Sequence, residues 1–409
     1  MDKHTRILVL VTAAGCIASR AEIPDLLAAY TATPAATTFI QVASDKDKVA
    51  VAQDLDFDQQ GNLWVINRGT ATSGGSTIKI SNPGKPTQKT LLQKDGNAMH
   101  FMLQPTALAF GDNGYFATSS GALDANHGSN VASSFTGPTL WNSDPAIYCM
   151  PNGGNGSHID MLHESPYNMG IAHEKGNAFW AFDANSHDVL RYDFQKPHEP
   201  GGDDHSDAII HRYPEVAVKW INQNIPCHLV VQKPKGWLYI VDGGNKRILR
   251  LNIASGTVGG KPKWHMTEDV AEYLNVTGAT WEVVMDKGLL EPTGVDVLNN
   301  TLVVSDHSDG SLMFFDIATM PAREIGRLET GAKGIMGLVI GPDGRIWYVD
   351  ATTNQVMVAQ PGVSTWLGRP LSPSATPFAV PFAQGRWFDA RGRAAAVGTH
   401  PYALVFPAR

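Results

Sequence analysis

Apolar positions recur along this chain with a long period. An apolar triplet with a strand's alternation appears six times, as Leu55-Asp56-Phe57, Leu108-Ala109-Phe110, Ile171-Ala172-His173, Leu229-Val230-Val231, Val295-Asp296-Val297 and Leu338-Val339-Ile340. A turn pair follows each: Gln60-Gly61, Asn113-Gly114, Lys175-Gly176, Lys235-Gly236, Asn299-Asn300 and Asp343-Gly344. Most of these pairs tolerate the positive φ of a tight hairpin. An aromatic-rich second strand comes next, reading Trp64 to Asn67, Tyr115 to Thr118, Trp180 to Asp183, Tyr239 to Asp242, Val303 to Asp306 and Trp347 to Asp350. Third strands show in most copies, for example Val189 to Phe194, Ile248 to Leu251, Leu312 to Phe315 and Gln355 to Val358. Successive copies begin 53, 63, 58, 66 and 43 residues apart. That spacing holds a four-stranded sheet with insertions, and a repeat of this size predicts a propeller.

The pattern therefore predicts an all-β protein, a six-bladed β-propeller with four-stranded blades, over residues 38–370. Its last blade needs a fourth strand, from either Thr38 to Ala43 or Pro377 to Phe382. The N-terminal segment is the better choice, because it would otherwise be an apolar strand without a partner and the ring would keep an open edge. The aromatic second strands are expected to pack blade against blade. The Asp residues that end them (Asp183, Asp242, Asp306, Asp350) are expected to cap the following turns.

Composition adds bounds. The 409 residues are 43% hydrophobic and 17% charged, with 40 Gly and 25 Pro, which suits short strands and tight turns. A net charge of −7 and no Lys/Arg-rich stripe argue against nucleic acid as a partner. Residues 1–21 read as a signal peptide, with Lys3 and Arg6 before an apolar stretch from Ile7 to Ala18 that is too short for a stable anchor. A secreted or periplasmic monomer is expected; Ala13-Ala14-Gly15 before Cys16 keeps lipoprotein anchoring open. No later segment reads as a transmembrane span. Cys149 and Cys227 could form one disulfide in an oxidising compartment. Residues 371–409 read as a C-terminal extension.

Blade geometry sorts the polar residues by face. Loops entering first strands, and those between second and third strands, share one end of the axis, here the top. Arg68, His187, Asp306-His307 and Cys227-His228 fall there. So does the Gly/Ser/Asn-rich stretch Ser119 to Pro145, with His127 and Trp141, which reads as a lid. The opposite end carries His173 and the loop His198 to Asp207, whose acids and imidazoles could hold Ca²⁺ or a transition metal. Three His from separate blades meeting on the axis would make an open metal site. The candidate metal ligands are His228, His307 and Cys227.

Val241-Asp242-Gly243-Gly244-Asn245-Lys246-Arg247-Ile248 resembles the signature of NHL repeats, with a looser copy at Val349 to Val358. The likeness runs from about Ala50 to Gly362 and implies an NHL-type propeller. Asn67-Arg68-Gly69 is similar to the first-blade arginine motif of the peptidyl-hydroxyglycine amidating lyases. That family holds zinc on the axis through His residues just before first strands, and its top-face arginines contact substrate. The resemblance implies Arg68 as a substrate anchor, but the family's His positions carry Thr106, Cys227, Thr293 or Met336 here, depending on the blade. The expected function is an exported metal-assisted lyase or hydrolase, using zinc or another divalent metal on a small or peptide-derived substrate at the top face. Arg68 and His187 would be its catalytic groups. The alternative is a non-catalytic propeller that binds a peptide, glycan or cell-surface partner.

Overall fold

The computed structural model describes residues 23–125, 131–150, 154–263 and 269–362, with Trp387–Phe388 and Phe406–Pro407. Residues 1–22 with Cys16, the stretch 126–130 with His127 and most of residues 371–409 lie outside these. The extension forms its own unit, Thr365–Arg409, in which Trp387–Phe388 pairs antiparallel with Phe406–Pro407.

After helix α1 (Leu27–Ala32) and strand β1 (Thr38–Ala43), the chain lays down six antiparallel sheets. Blade 1 is β2 (Ala52–Phe57), β3 (Leu63–Thr70), β4 (Gly74–Ser81) and β5 (Lys89–Gln93). Helix α2 (Ala98–Phe101) leads to blade 2, made of β6 (Pro105–Phe110), β7 (Tyr115–Ser120), β8 (Thr139–Asn142) and β9 (His158–Met161). Blade 3 is β10 (Asn168–Lys175), β11 (Ala178–Asp183), β12 (Asp188–Asp193) and β13 (Ile209–Tyr213). Blade 4 begins with β14 (Leu229–Gln232), β15 (Trp237–Asp242) and β16 (Arg247–Asn252). The chain then makes an excursion, β17 (Thr257–Val258) and β18 (Glu272–Thr277), before β19 (Trp281–Met285) completes that blade. Strand β18 runs parallel to β13 and so covers the outer edge of blade 3. Blade 5 is β20 (Pro292–Leu298), β21 (Thr301–Asp306), β22 (Ser311–Asp316) and β23 (Arg323–Glu329). Blade 6 is β24 (Ile335–Ile340), β25 (Ile346–Asp350) and β26 (Gln355–Gln360), and β1 supplies its fourth strand, pairing from Thr38↔Gln360. The six-bladed fold and the N-terminal closure expected from the pattern are both present.

Hydrogen bonds explain why these sequences close. Inner strands leave one edge facing the axis, and its N–H groups need acceptors. Asp54 accepts from Leu108 N (3.0 Å), Asp56 from Phe110 N (2.8 Å) and Asp296 from Ile340 N (2.6 Å). Three of the four strand-ending aspartates cap turns as expected: Asp183 accepts from Asn185 N and Ser186 N, Asp306 from Ser308 N, and Asp350 from Thr352 N, whereas Asp242 instead accepts from Lys219 N and from the Asn245 and Arg247 side chains. Trp64, Trp180 and Trp347 are fully buried between blades, each with its indole N–H donated to a nearby carboxylate, from Asp58, Glu174 and Asp343.

Two expectations need correcting. The stretch Ser119 to Pro145 is not one structureless lid: Thr139–Asn142 forms β8, and Trp141 is a core residue whose Nε1 donates to Thr118 Oγ1. A single apolar pair inside a Gly/Ser/Asn-rich run hid that strand. Cys149 and Cys227 are free thiols, and Cys227 is buried in the apolar core of blades 3 to 5.

Tyr30 ties α1 to blade 6. Its hydroxyl donates to Ala359 O (2.6 Å) and accepts from Ile346 N (3.3 Å), and its ring stacks on Phe314. Tyr30→Phe would strand both backbone groups in an apolar site, and a loss of about 1–2 kcal/mol in urea denaturation is expected.

Candidate functional site

Blades 1 and 4 face each other across the axis, and His228 spans the gap. Its Nε2 donates to Gln53 O (3.2 Å), and its Nδ1 lies 3.4 Å from the Asp54 carboxyl. Burial pulls the imidazole down to about 4 and pushes Asp54 well above the usual carboxylate range. Burial thus disfavours the charged form of both partners. Below it the inner strands enclose a cavity of about 240 Å³, lined by Asp54, Asp56, Asp296, His173, Lys233 and apolar side chains. Lys233 donates to His173 Nδ1 (2.8 Å), while His173 Nε2 donates to Gly176 O. This volume falls short of an ordinary small-molecule pocket.

At the top of blade 1, near the end of β3, lies Arg68. The residue is only 5% exposed, yet Nη1 has no hydrogen-bond partner and the guanidinium forms no ion pair among the described residues. Burial draws its pKa down to about 10, leaving it charged at neutral pH. The wall beside it is Gly121, where a Cβ would stand 2.4 Å from Thr106 Cγ2 and 3.6 Å from Arg68 Nη1. Nearby, Tyr167 packs on Trp220 with ring centroids 4.8 Å apart. Two more fully buried side chains enter at this end, and each leaves an amide oxygen unsatisfied: Gln53 Oε1 in β2 and Asn168 Oδ1 at the start of β10. A buried cation without a counter-charge among the described residues carries a large desolvation cost.

The other residues singled out by sequence are scattered. His187 is exposed on the β11–β12 turn at φ 63, and His307 is half-buried with Nδ1 3.3 Å from Ile335 O. Burial pushes the Cys227 thiol up to about 12. Among the described residues, one group of at least three His, Cys, Asp or Glu side chains brings its ligand atoms within 4.8 Å of one another, and it contains none of these. It is Asp160, His198 and His205. The His198–Asp207 loop was visible in the sequence as a cluster of acids and imidazoles, but its partner Asp160, on β9 of the neighbouring blade, was not.

Aromatic rings close a circuit around this group. Phe101 stacks on His158 (3.6 Å between centroids), His158 meets His198 (5.1 Å), and His198 meets His205 (5.4 Å). From there His205 meets His163 (6.0 Å), His163 stacks on Phe135 (4.0 Å), Phe135 on His100 (5.6 Å), and His100 returns to Phe101 (4.3 Å). Sequence reasoning missed His100, His158 and His163. The available signal was His158-x-Asp160, two positions that share one face of a strand.

No family model matches the sequence, and no curated protein matches it. Solved structures resemble it in chain path. An auxiliary nutrient binding protein from Bacteroides ovatus is 10% identical over 80% of this chain and 76% of its own, with a TM-score of 0.47. A luciferin-regenerating enzyme is 9% identical over 79% and 95%, with a TM-score of 0.49. The calcium-binding protein regucalcin from Agrobacterium tumefaciens is 12% identical over 78% and 93%, with a TM-score of 0.45. No helix among the described residues is long and apolar enough to cross a membrane.

Proposed function

We propose that the protein recognises a small carboxylate-bearing molecule, free or as part of a peptide, at the Arg68 end of the propeller axis. One observation carries this reading: a buried, charged guanidinium with no counter-charge. A carboxylate would supply that charge and could accept two parallel N–H bonds from the planar fork. The unsatisfied oxygens of Gln53 and Asn168 are acceptors, so a ligand with its own O–H or N–H donors, such as a hydroxy acid or an amino acid, suits this end best. Lyase or hydrolase chemistry on such a ligand remains the catalytic form of this reading. Its metal is not assigned to His228, whose two nitrogens are already engaged. Export of the mature chain accompanies the proposal as an expectation from residues 1–21.

The test is calorimetric titration with a panel of hydroxy acids, amino acids and dipeptides, each beside its uncharged amide. Arg68→Met should lower carboxylate affinity at least about 30-fold, or about 2 kcal/mol. The same substitution should stabilise the ligand-free protein by about 1–3 kcal/mol, because it removes an unpaired buried charge. A wild-type protein that binds no carboxylate, with an Arg68→Met variant less stable than it, would overturn the reading.

A further inference from the structure

We propose that Asp160, His198 and His205 form a divalent transition-metal centre in the seam between blades 2 and 3. This goes beyond the Arg68 reading and does not depend on it. The three ligand atoms already lie within 4.8 Å of one another. Ligands about 2.0–2.2 Å from one ion stand roughly 3.4 Å apart in a tetrahedral site, so closing on a metal requires about an ångström of movement.

Two buried lone pairs at this place have nothing to bind. Asp160 is 0% exposed; its Oδ1 is held 2.8 Å from His205 Nδ1, while Oδ2 has no hydrogen-bond partner. His198 donates Nδ1–H to Glu199 O (2.6 Å), which fixes the tautomer and leaves the lone pair on Nε2, also buried and unpartnered. A ring nitrogen oriented by a carbonyl on its far side is the usual arrangement of a metal-binding imidazole.

The chain is shaped to deliver these groups. The loop from blade 3 packs on β9 through Gly201 N donating to His158 O (2.8 Å). At Gly202 a Cβ would come within 2.8 Å of His198 Nδ1, so glycine lets the loop wrap the imidazole.

The donor set selects the metal class. Two imidazoles and one carboxylate suit Zn²⁺ and its neighbours Co²⁺, Ni²⁺ and Fe²⁺, whereas Ca²⁺ requires six to eight oxygens. Three protein ligands leave at least one position for water or substrate, the pattern of catalytic rather than structural zinc, and a bound water there would become a nucleophile near neutral pH.

The experiment uses the full mature protein, stripped with a chelator and titrated with Zn²⁺, Co²⁺ and Ca²⁺. The expected result is one Zn²⁺ per chain by elemental analysis and the visible absorption of four- or five-coordinate Co²⁺, with no comparable Ca²⁺ uptake. His198→Ala, on a half-buried loop position, should weaken Zn²⁺ binding about 100-fold or more while circular dichroism stays unchanged; Asp160→Asn should do the same. His187→Ala is the exposed control and should leave binding intact. Three results would each overturn the proposal: clearly less than one Zn²⁺ per chain, binding indifferent to both His198→Ala and His205→Ala, or a site that prefers Ca²⁺.

Discussion

Arg212→Met is expected to remove about 3–5 kcal/mol of stability, the largest single-residue effect in the molecule. Arg212, on β13, is 3% exposed and serves four acceptors at once. Its Nη1 donates to Asp183 (3.0 Å) and Asp188 (2.6 Å), Nε to the Tyr273 hydroxyl (3.1 Å), and Nη2 to Glu164 O. Asp183 and Asp188 are buried, and burial raises both pKa values despite the guanidinium, Asp188 to about 6. Without Arg212 two buried carboxylates would have to ionise unpaired or hold protons. Urea denaturation at neutral pH measures the loss. The Met variant should regain part of it when Asp183→Asn is added, since that removes one stranded charge. Arg212→Lys should fall between, because one ammonium cannot serve four acceptors in a fixed fork. A cost below about 1 kcal/mol for Arg212→Met would show that the network is well solvated.

The same arginine has a functional reach. Glu164 holds φ 80, a conformation that a residue with a side chain adopts only when its surroundings enforce it, and Arg212 grips its carbonyl. The loop from His163 to Tyr167 joins the aromatic circuit to the Arg68 opening, so Arg212→Met should weaken both carboxylate and Zn²⁺ binding. Arg191→Met on the adjacent strand β12 breaks the Glu174 pair without touching that loop and should weaken neither.

What the sequence made legible divides along physical lines. Blades were readable because hairpin turns, strand alternation and aromatic second strands are local signals, and an unpartnered apolar segment such as Thr38 to Ala43 has few places to go. The parallel strand β18 was not readable, because an excursion from blade 4 to the edge of blade 3 leaves no local mark. Sorting loops by face placed Arg68 at the top but could not say which side chains converge. Cys227 and His228 illustrate why: neighbours on an extended chain point to opposite faces, so one joins the core while the other crosses the axis. The metal group combines a loop that looked chemically rich with Asp160 from another blade, and only folding brings them together.

The axial pair His228 and Asp54 should make two single variants respond to acid in opposite directions. In the native pair burial draws the imidazole down to about 4 and raises Asp54 well above the usual carboxylate range. In the unfolded chain the ordinary values apply, near 6.5 for His and 3.9 for Asp. As pH falls from about 6.5 toward 4, the unfolded chain takes up a His proton that the native imidazole refuses, while the native state holds an Asp54 proton that the unfolded chain releases, so the two contributions to the slope oppose each other. Asp54→Asn removes one side of this balance while Asn can still accept from Leu108 N and donate to His228 Nδ1. Its unfolded state then takes up a proton near pH 6.5 that the native state refuses until about 4. His228 alone should then cost this variant about 3 kcal/mol across that window, so its profile should fall below that of wild type as pH is lowered. His228→Gln leaves the Asp54 term alone: the native state holds a proton that the unfolded chain has released, so relative stability should rise as pH falls from neutrality toward 4. Urea midpoints of the three proteins at unit steps of pH give both differences directly, since every other titrating group is common to them. Parallel profiles for wild type and Asp54→Asn would mean that Asp54 has no raised pKa in the native state and would overturn this reading of the pair.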